Sequence, residues 1–216
     1  MNQRILTIGT LIIACIIFIA GWATVKYSTT PDITNEVVDG SALIRSYSPI
    51  VGPTDAPVTI VEFFDPACEA CRAIHPVIVD IRKRYPTQVR IVMRYAAFHD
   101  GSDIAVRVLE TARLQNKFEP VLNALLYEQP KWASHAVGIK LDNAWDIAAK
   151  AGLDIEKAKK AMGRTEIDKV LNQDALDIQT LNVQHTPTFY IDGKPLLNFG
   201  PEQLMDRVRQ QVESKH

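Results

Sequence analysis

Residues 58–71 read VTIVEFFDPACEAC. Apart from Glu62, every residue from Val58 to Phe64 is β-branched or aromatic. Such a run fits a strand buried on both faces of a sheet. It stops at Asp65-Pro66, and a helical pattern follows. Cys68 stands at its start, Cys71-Arg72-Ala73-Ile74 continues it, and Val77, Ile78 and Ile81 give it an apolar side. Pro76 lies inside the pattern and removes the bond to the Arg72 carbonyl, so a kink near His75 is expected. Val89–Tyr95, VRIVMRY, reads as a second strand. Strand, helix and strand in that order predict a right-handed parallel crossover with both cysteines at the start of its helix.

Upstream, Gly52-Pro53-Thr54-Asp55-Ala56-Pro57 is a turn cluster, and residues 26–42 are polar enough for a tether. Ile5 to Val25 is different: 21 residues without a charge, close to the ~20 a helix needs to cross a bilayer. Arg4 precedes the run and Lys26 follows it. A cleaved signal peptide is the competing interpretation. Its apolar core is usually only ~7–15 residues, and Ala20-Gly21-Trp22-Ala23 is a poor cleavage site. A lipoprotein at Cys15 fits worse, because Ile16-Ile17-Phe18-Ile19 stays apolar past the cysteine. A single-pass anchor over 5–25 is therefore expected, with residues 1–4 at the cytoplasmic end and the rest exported. Apolar residues at 47%, charged residues at 23% and a net charge of −1 suit a globular domain and offer nothing global for nucleic acid.

Downstream, from Ser102 to about Thr180, the period becomes helical. Asp103–Leu109 opens one helix and Phe118, Val121, Leu122, Leu125 and Leu126 line a second. Ala144–Lys150 is a third, ended by Gly152; Asp154 caps a fourth, Ile155 to Met162; Glu166 to Leu181 is a fifth. These apolar stripes are expected to pack a core. Thr188–Ile191 returns to strand, Asp192-Gly193 is a hairpin turn, and Pro195 starts a returning strand through Leu196-Leu197-Asn198-Phe199. Gly200-Pro201 opens a last helix with Leu204, Val208 and Val212 four apart. A sheet-forming body, 43–100 with 181–216, is thus split by a helical insertion, 101–180.

Chemistry concentrates at Cys68 and Cys71. With Cys15 assigned to apolar packing, they are the only cysteine pair of the exported part, and a two-residue gap closes too small a loop to serve stability. At a helix start the free backbone N–H groups and the dipole favour an anion, so the Cys68 thiolate is expected to be stabilised and open to attack. Cys71, one turn in and better shielded, would resolve the mixed disulfide. Glu69 opposes the thiolate, so Glu69-Ala70 between the cysteines tunes the pair. Glu62, six residues ahead of Cys68 in an apolar strand, is either a proton carrier for Cys71 or a hydrogen-bonded structural acid. Asp65 is expected to be a turn or cap residue, His75 a helix residue near the active-site surface, and His99, His135 and His185 ordinary surface or loop histidines. Thr186-Pro187 precedes a strand of the second half, and sequence alone does not decide whether that bond is cis.

Glu62-Phe63-Phe64, Cys68-x-x-Cys71 opening a helix, the helical insertion and Thr186-Pro187 before a strand together resemble the thioredoxin superfamily, specifically the DsbA family of thiol–disulfide oxidoreductases. The resemblance covers residue 45 to the end. It implies a thioredoxin fold with an inserted helical subdomain, Glu62 as the family's buried acid, and a cis Pro187 beside the disulfide. It also implies that the backbone of Thr186 pairs with a bound peptide. No cofactor and no metal are implied. The partners implied are unfolded or cysteine-containing exported proteins and a membrane redox protein, DsbB-like for an oxidase or DsbD-like for an isomerase. Where DsbA carries Pro-His between its cysteines this chain has Glu69-Ala70, and a threonine before the proline also occurs in isomerase and reductase relatives. Oxidation or shuffling of disulfides in the periplasm or outside the cell is the expected function. A disulfide reductase is the alternative within the enzyme class, and a membrane-tethered peptide-binding chaperone outside it. A zinc module built on Cys68, Cys71 and His75 lacks the second tight ligand pair such sites draw on.

Overall fold

The computed structural model describes residues 40–134 and 138–215. The expected anchor over 5–25, Cys15 and His135 lie outside them. Among the described residues no helix is long and apolar enough to cross a membrane.

The chain opens with α1 (Gly40–Leu43), β1 (Ile50–Val51), β2 (Val58–Phe64), α2 (Glu69–Arg84) and β3 (Val89–Tyr95). Helices α3 (Ser102–Leu114), α4 (Phe118–Tyr127) and α5 (Gln129–Trp132) follow. A two-stranded ribbon, β4 (Ala133–Ser134) and β5 (Gly138–Ile139), leads to α6 (Leu141–Lys150), α7 (Ile155–Ala161) and α8 (Thr165–Thr180). The chain then returns to the sheet as β6 (Thr188–Ile191) and β7 (Lys194–Pro195) and ends in α9 (Pro201–Ser214).

The main sheet has the order β1-β3-β2-β6-β7. β2 pairs in parallel with β3, from Val58↔Val89 to Phe64↔Tyr95, as the crossover requires. On its other side it pairs antiparallel with β6, with Glu62 opposite Phe189. The apolar run is therefore a central strand, and its alternation divides the core. Ile60 and Phe64 join Cys71, Ile74, Ile78 and Ile81 of α2 and Leu204, Val208 and Val212 of α9. Val61 and Phe63 join Val92, Val183 and Tyr190 in a second cluster. With a period of two, Glu62 shares the face of Ile60 and Phe64, which is the face α2 covers. A fully buried aliphatic or aromatic side chain of this kind stabilises the fold by about 1.5–3 kcal/mol, so the register of β2 is strongly specified.

The helical insertion packs onto the same core through Val106, Leu109, Val121, Leu125 and Trp132. Gly152 adopts φ 93°, and its N–H and that of Leu153 return to the carbonyls of Ala149 and Ala148, closing α6. The Asp192-Gly193 turn has φ 49° and 79°, the two left-handed residues of a tight hairpin.

Two expectations are corrected. The returning strand over 196–199 does not form: β7 holds only Lys194 and Pro195. Pro195 has no N–H to donate to its partner Tyr190, one further bond runs from Leu196 N to Phe189 O at 2.9 Å, and the chain then leaves the sheet. Phe199 turns back to stack on Phe189, with centroids 6.1 Å apart. At the other end, residues 40–42, expected to finish the tether, start α1, where Ala42 and Leu43 are buried. The cause is Arg94 of β3, whose Nη1 donates to the carbonyls of Ala42 at 2.6 Å and Leu43 at 2.7 Å. Arg94 is itself neutralised by Asp174 and Asp177 of α8, at 2.8 and 2.6 Å, and Asp177 also receives Arg45 Nε at 2.8 Å.

Candidate active site

Cys68 is the N-cap of α2, with φ −75° and ψ 121°. Its N–H bonds to the Asp65 carbonyl at 3.0 Å, which folds the Asp65–Cys68 turn tightly against the end of β2. Cys71 follows one turn later, and both cysteines are free thiols. The Thr186–Pro187 bond is cis, Pro187 is buried, and Cys68 Sγ lies 3.4 Å from the Thr186 carbonyl. The structure thus brings Cys68, Cys71, Thr186 and Pro187 together from two segments more than a hundred residues apart.

The two sulfurs differ sharply. The Cys68 thiol is pulled down from 9.0 to about 5. The first cause is the hydrogen bond from Cys71, resisted by burial; the Thr186 side chain and the backbone N–H groups of Cys71 and Ala70 add to it. Ala70 therefore acts through its backbone. Glu69 is exposed at the first position of α2, where solvent weakens its charge. The Cys71 thiol is pushed far up, first by burial, then by the bond it gives Cys68 and by the charge of Glu62. One proton is held between the two sulfurs, and it resides on Cys71.

The expectation of an open Cys68 needs correcting. It is 6% exposed and Cys71 1%. The Thr186 carbonyl lies against Cys68 Sγ, which remains the more accessible sulfur of the pair.

Glu62 is 3% exposed, and its Oε2 has no hydrogen-bond partner. Burial, with a smaller push from Cys68, raises its carboxyl from 4.5 to about 8.

Asp65 is far more than a turn residue. It is fully buried, and Oδ1 accepts the Ala67 N–H at 2.8 Å and the Ser102 hydroxyl. Its Oδ2 accepts the N–H groups of Phe98 at 2.8 Å and His99 at 2.9 Å, and His99 Nδ1 lies 2.7 Å away. His99 is accordingly no ordinary loop histidine. His75 is half-buried, with Nε2 2.8 Å from Asn123 Oδ1, and burial lowers its pKa. His185 stays exposed, its carbonyl receiving the Thr188 hydroxyl at 2.7 Å. Sequence reasoning also missed Gln129, buried at the start of α5. Its Nε2 donates to the carbonyls of Pro66 at 2.8 Å and Cys68 at 3.0 Å, so the insertion reaches the active-site turn directly. The available signal was a lone amide between the apolar Leu125-Leu126 and Trp132.

A family model described as thioredoxin matches residues 45–210. The chain belongs to the thioredoxin family. Disulfide bond formation protein D of Bacillus subtilis (strain 168) is 25% identical over 189 residues, covering 84% of each chain. The crystal structure of a thioredoxin-like oxidoreductase from Silicibacter pomeroyi DSS-3 is 26% identical with a TM-score of 0.69, covering 82% of this chain and 98% of that one. The Na(+)/H(+) antiporter NhaA 1 of Mycobacterium sp. (strain KMS) is 28% identical over 197 residues, 87% of this chain. The chain spans 30% of the length of that antiporter.

Proposed function

We propose that this protein is a thiol–disulfide oxidoreductase that oxidises or shuffles disulfides in exported, cysteine-containing proteins. The observation that carries it is the asymmetric pair at the start of α2, with Cys68 held near pKa 5 beside Thr186 and a protonated Cys71 behind it. A depressed pKa stabilises the dithiol form and so makes the disulfide a better oxidant. In the oxidising direction a client thiolate attacks Cys68 Sγ, the Cys68–Cys71 bond breaks, and Cys71 leaves with the electron pair. Glu62, neutral up to about pH 8, supplies the proton to Cys71. A second client thiolate then attacks its own half of the mixed disulfide and Cys68 departs as the thiolate. Two electrons have passed to the protein, and the client has gained a disulfide. The Thr186 turn, which already meets Cys68, is where the client backbone docks.

An exported location follows from the anchor expected over 5–25, with the catalytic domain on the periplasmic or extracellular side of the cytoplasmic membrane. A DsbB-like quinone-coupled membrane protein would reoxidise Cys68 and Cys71; a DsbD-like conduit would instead keep them reduced for isomerisation. The test is the reduction potential measured against glutathione, together with oxidative refolding of a reduced client. The oxidising assignment predicts a potential between about −120 and −200 mV, with all activity lost in Cys68→Ser. A value near thioredoxin's ~−270 mV would overturn the oxidising direction.

A further inference from the structure

Asp65 is a buried carboxylate three residues before Cys68, and its main-chain carbonyl accepts the Cys68 N–H. Left alone, its charge would oppose a thiolate at Cys68. It is not alone. The Ala96–His99 turn wraps Oδ2 with two backbone N–H groups, Ser102 covers Oδ1, and the His99 ring closes on Oδ2 at 2.7 Å as a salt bridge. The His99 side chain is one-third exposed, at 32%, and lines a polar cleft of about 330 Å³ together with Ala67, the residue that leads into Cys68. The dipeptide between the cysteines carries no cation, only Glu69 and Ala70.

We propose that His99, clamped by Asp65 beside the Ala67–Cys68 turn, is a positioning residue that supplies the positive charge the dipeptide lacks and thereby stabilises the Cys68 thiolate. This deepens the proposed oxidoreductase function and rests on it. The groups that act on His99 agree with the role. Burial works against a charged ring, but the Asp65 hydrogen bond and charge outweigh it, and Cys68 and Glu69 push the same way. Asp100 lines the same cleft. The coupling is reciprocal: a thiolate that favours the imidazolium is itself favoured by it. Conversion of Cys68 to its disulfide removes that negative charge, so His99 holds its proton less tightly in the oxidised protein. Glu69 and Asp100 do not change with redox state and cannot produce this difference.

The test uses the purified full chain in its dithiol and disulfide forms, prepared with a non-thiol reductant and with oxidised glutathione. The ring resonances of the five histidines are followed by NMR through a pH titration, and His99 is assigned by its absence in His99→Asn. In the wild type, the His99 midpoint is expected to lie on the order of half a pH unit higher in the dithiol form; equal midpoints overturn the inference. Asparagine retains an amide donor for Asp65 without the charge, so His99→Asn should keep the fold and raise the Cys68 midpoint, read from thiolate absorbance, by a similar amount. An unmoved Cys68 midpoint overturns it as well. Should the variant fail to fold, the wild-type titration decides alone. Client refolding separates the two claims. A wild type that exchanges disulfides while His99 ignores redox state sinks the His99 role only. A wild type that exchanges none sinks the oxidoreductase function, and the titration remains readable.

Discussion

Replacing Glu62 by glutamine should change how stability depends on pH, and the structure fixes the sign. In the folded protein the carboxyl is raised from 4.5 to about 8. Between those values the folded state keeps a proton that the unfolded chain has released. Stability contributed by the neutral acid is therefore fully present below about pH 4.5 and is lost as pH rises towards 8. The span is roughly 3.5 pH units, and at about 1.4 kcal/mol per unit the loss approaches about 5 kcal/mol as an upper bound. Cys68 works in the opposite sense, because its folded value is about 5 against 9.0, so folded-state deprotonation adds stability over nearly the same window. The reduced wild type should accordingly show a shallow profile between pH 5 and 8, where two slopes oppose. Glu62→Gln removes one of them. Its stability should rise with pH through that window, and it should exceed the wild type by several kcal/mol at pH 8 while matching it near pH 4.5. Cys68→Ser should show the reverse, a stability that falls with pH. Urea unfolding of the reduced full chain, at half-unit steps of pH, reads all three. Parallel profiles for wild type and Glu62→Gln would refute the buried-acid reasoning, since they would mean that Glu62 releases its proton alike in both states.

Other consequences are checked more quickly. At pH 6 iodoacetamide should label Cys68 alone, because a thiol near pKa 5 is about nine-tenths ionised there while Cys71 is not; mass mapping that finds both labelled equally contradicts the asymmetry. Thr186→Val takes away a donor to the thiolate, so the Cys68 midpoint should rise by about half a unit and the reduction potential should fall by roughly 15 mV; a rise in potential would contradict it. Gln129→Leu removes the amide that donates to the buried carbonyls of Pro66 and Cys68, the latter keeping the Arg72 N–H, at a cost of about 1–3 kcal/mol by urea unfolding. Asp174→Ala leaves Arg94 buried with only half its neutralising charge and should cost about 3–5 kcal/mol; a loss below 1 kcal/mol would show that solvent reaches Arg94.

Most of the sheet, the crossover and the helical insertion were legible in the sequence, because each rests on a local signal. Val58–Phe64 could hardly be placed anywhere but mid-sheet, and Asp192-Gly193 states its own turn. The returning strand failed because Leu196-Leu197 looked apolar enough to pair, whereas ladder continuity was decided by the missing N–H of Pro195. The start of the domain was misjudged for a related reason. Residues 40–42 are small and polar enough for a tether, and nothing local announces that Arg94, some fifty residues on, takes their carbonyls. At the candidate site, Cys68, Cys71 and Glu62 stood out in the sequence because a sulfur pair at a helix start and an acid in an apolar strand are unusual in one dimension. Asp65, His99 and Gln129 were not found. Aspartate before proline is an ordinary turn, and a histidine in a loop is ordinary too. Their meaning comes only from meeting across 34 residues for Asp65 and His99 and 61 for Gln129 and Cys68.

The same residue chemistry is put to opposite uses on the two sides of the Cys68 turn. Glu62 and Asp65 are both buried carboxyl groups, three residues apart in the chain. One oxygen of Glu62 meets no donor at all, whereas the two oxygens of Asp65 meet three backbone N–H groups, a hydroxyl and an imidazole. The difference follows from strand geometry. Glu62 is still within β2, where neighbouring N–H groups are committed to β3 and β6, so its Oε2 enters an apolar face without a partner. Asp65 is the first residue beyond the strand, where the turns after β2 and β3 converge and their N–H groups are free to point inward. An acid buried on an apolar face is pushed towards its neutral form, which is what the proposed proton delivery to Cys71 requires. An acid surrounded by donors organises the turn that carries Cys68 and brings a histidine to its side. Exchanging their environments, rather than their identities, would be enough to remove both roles.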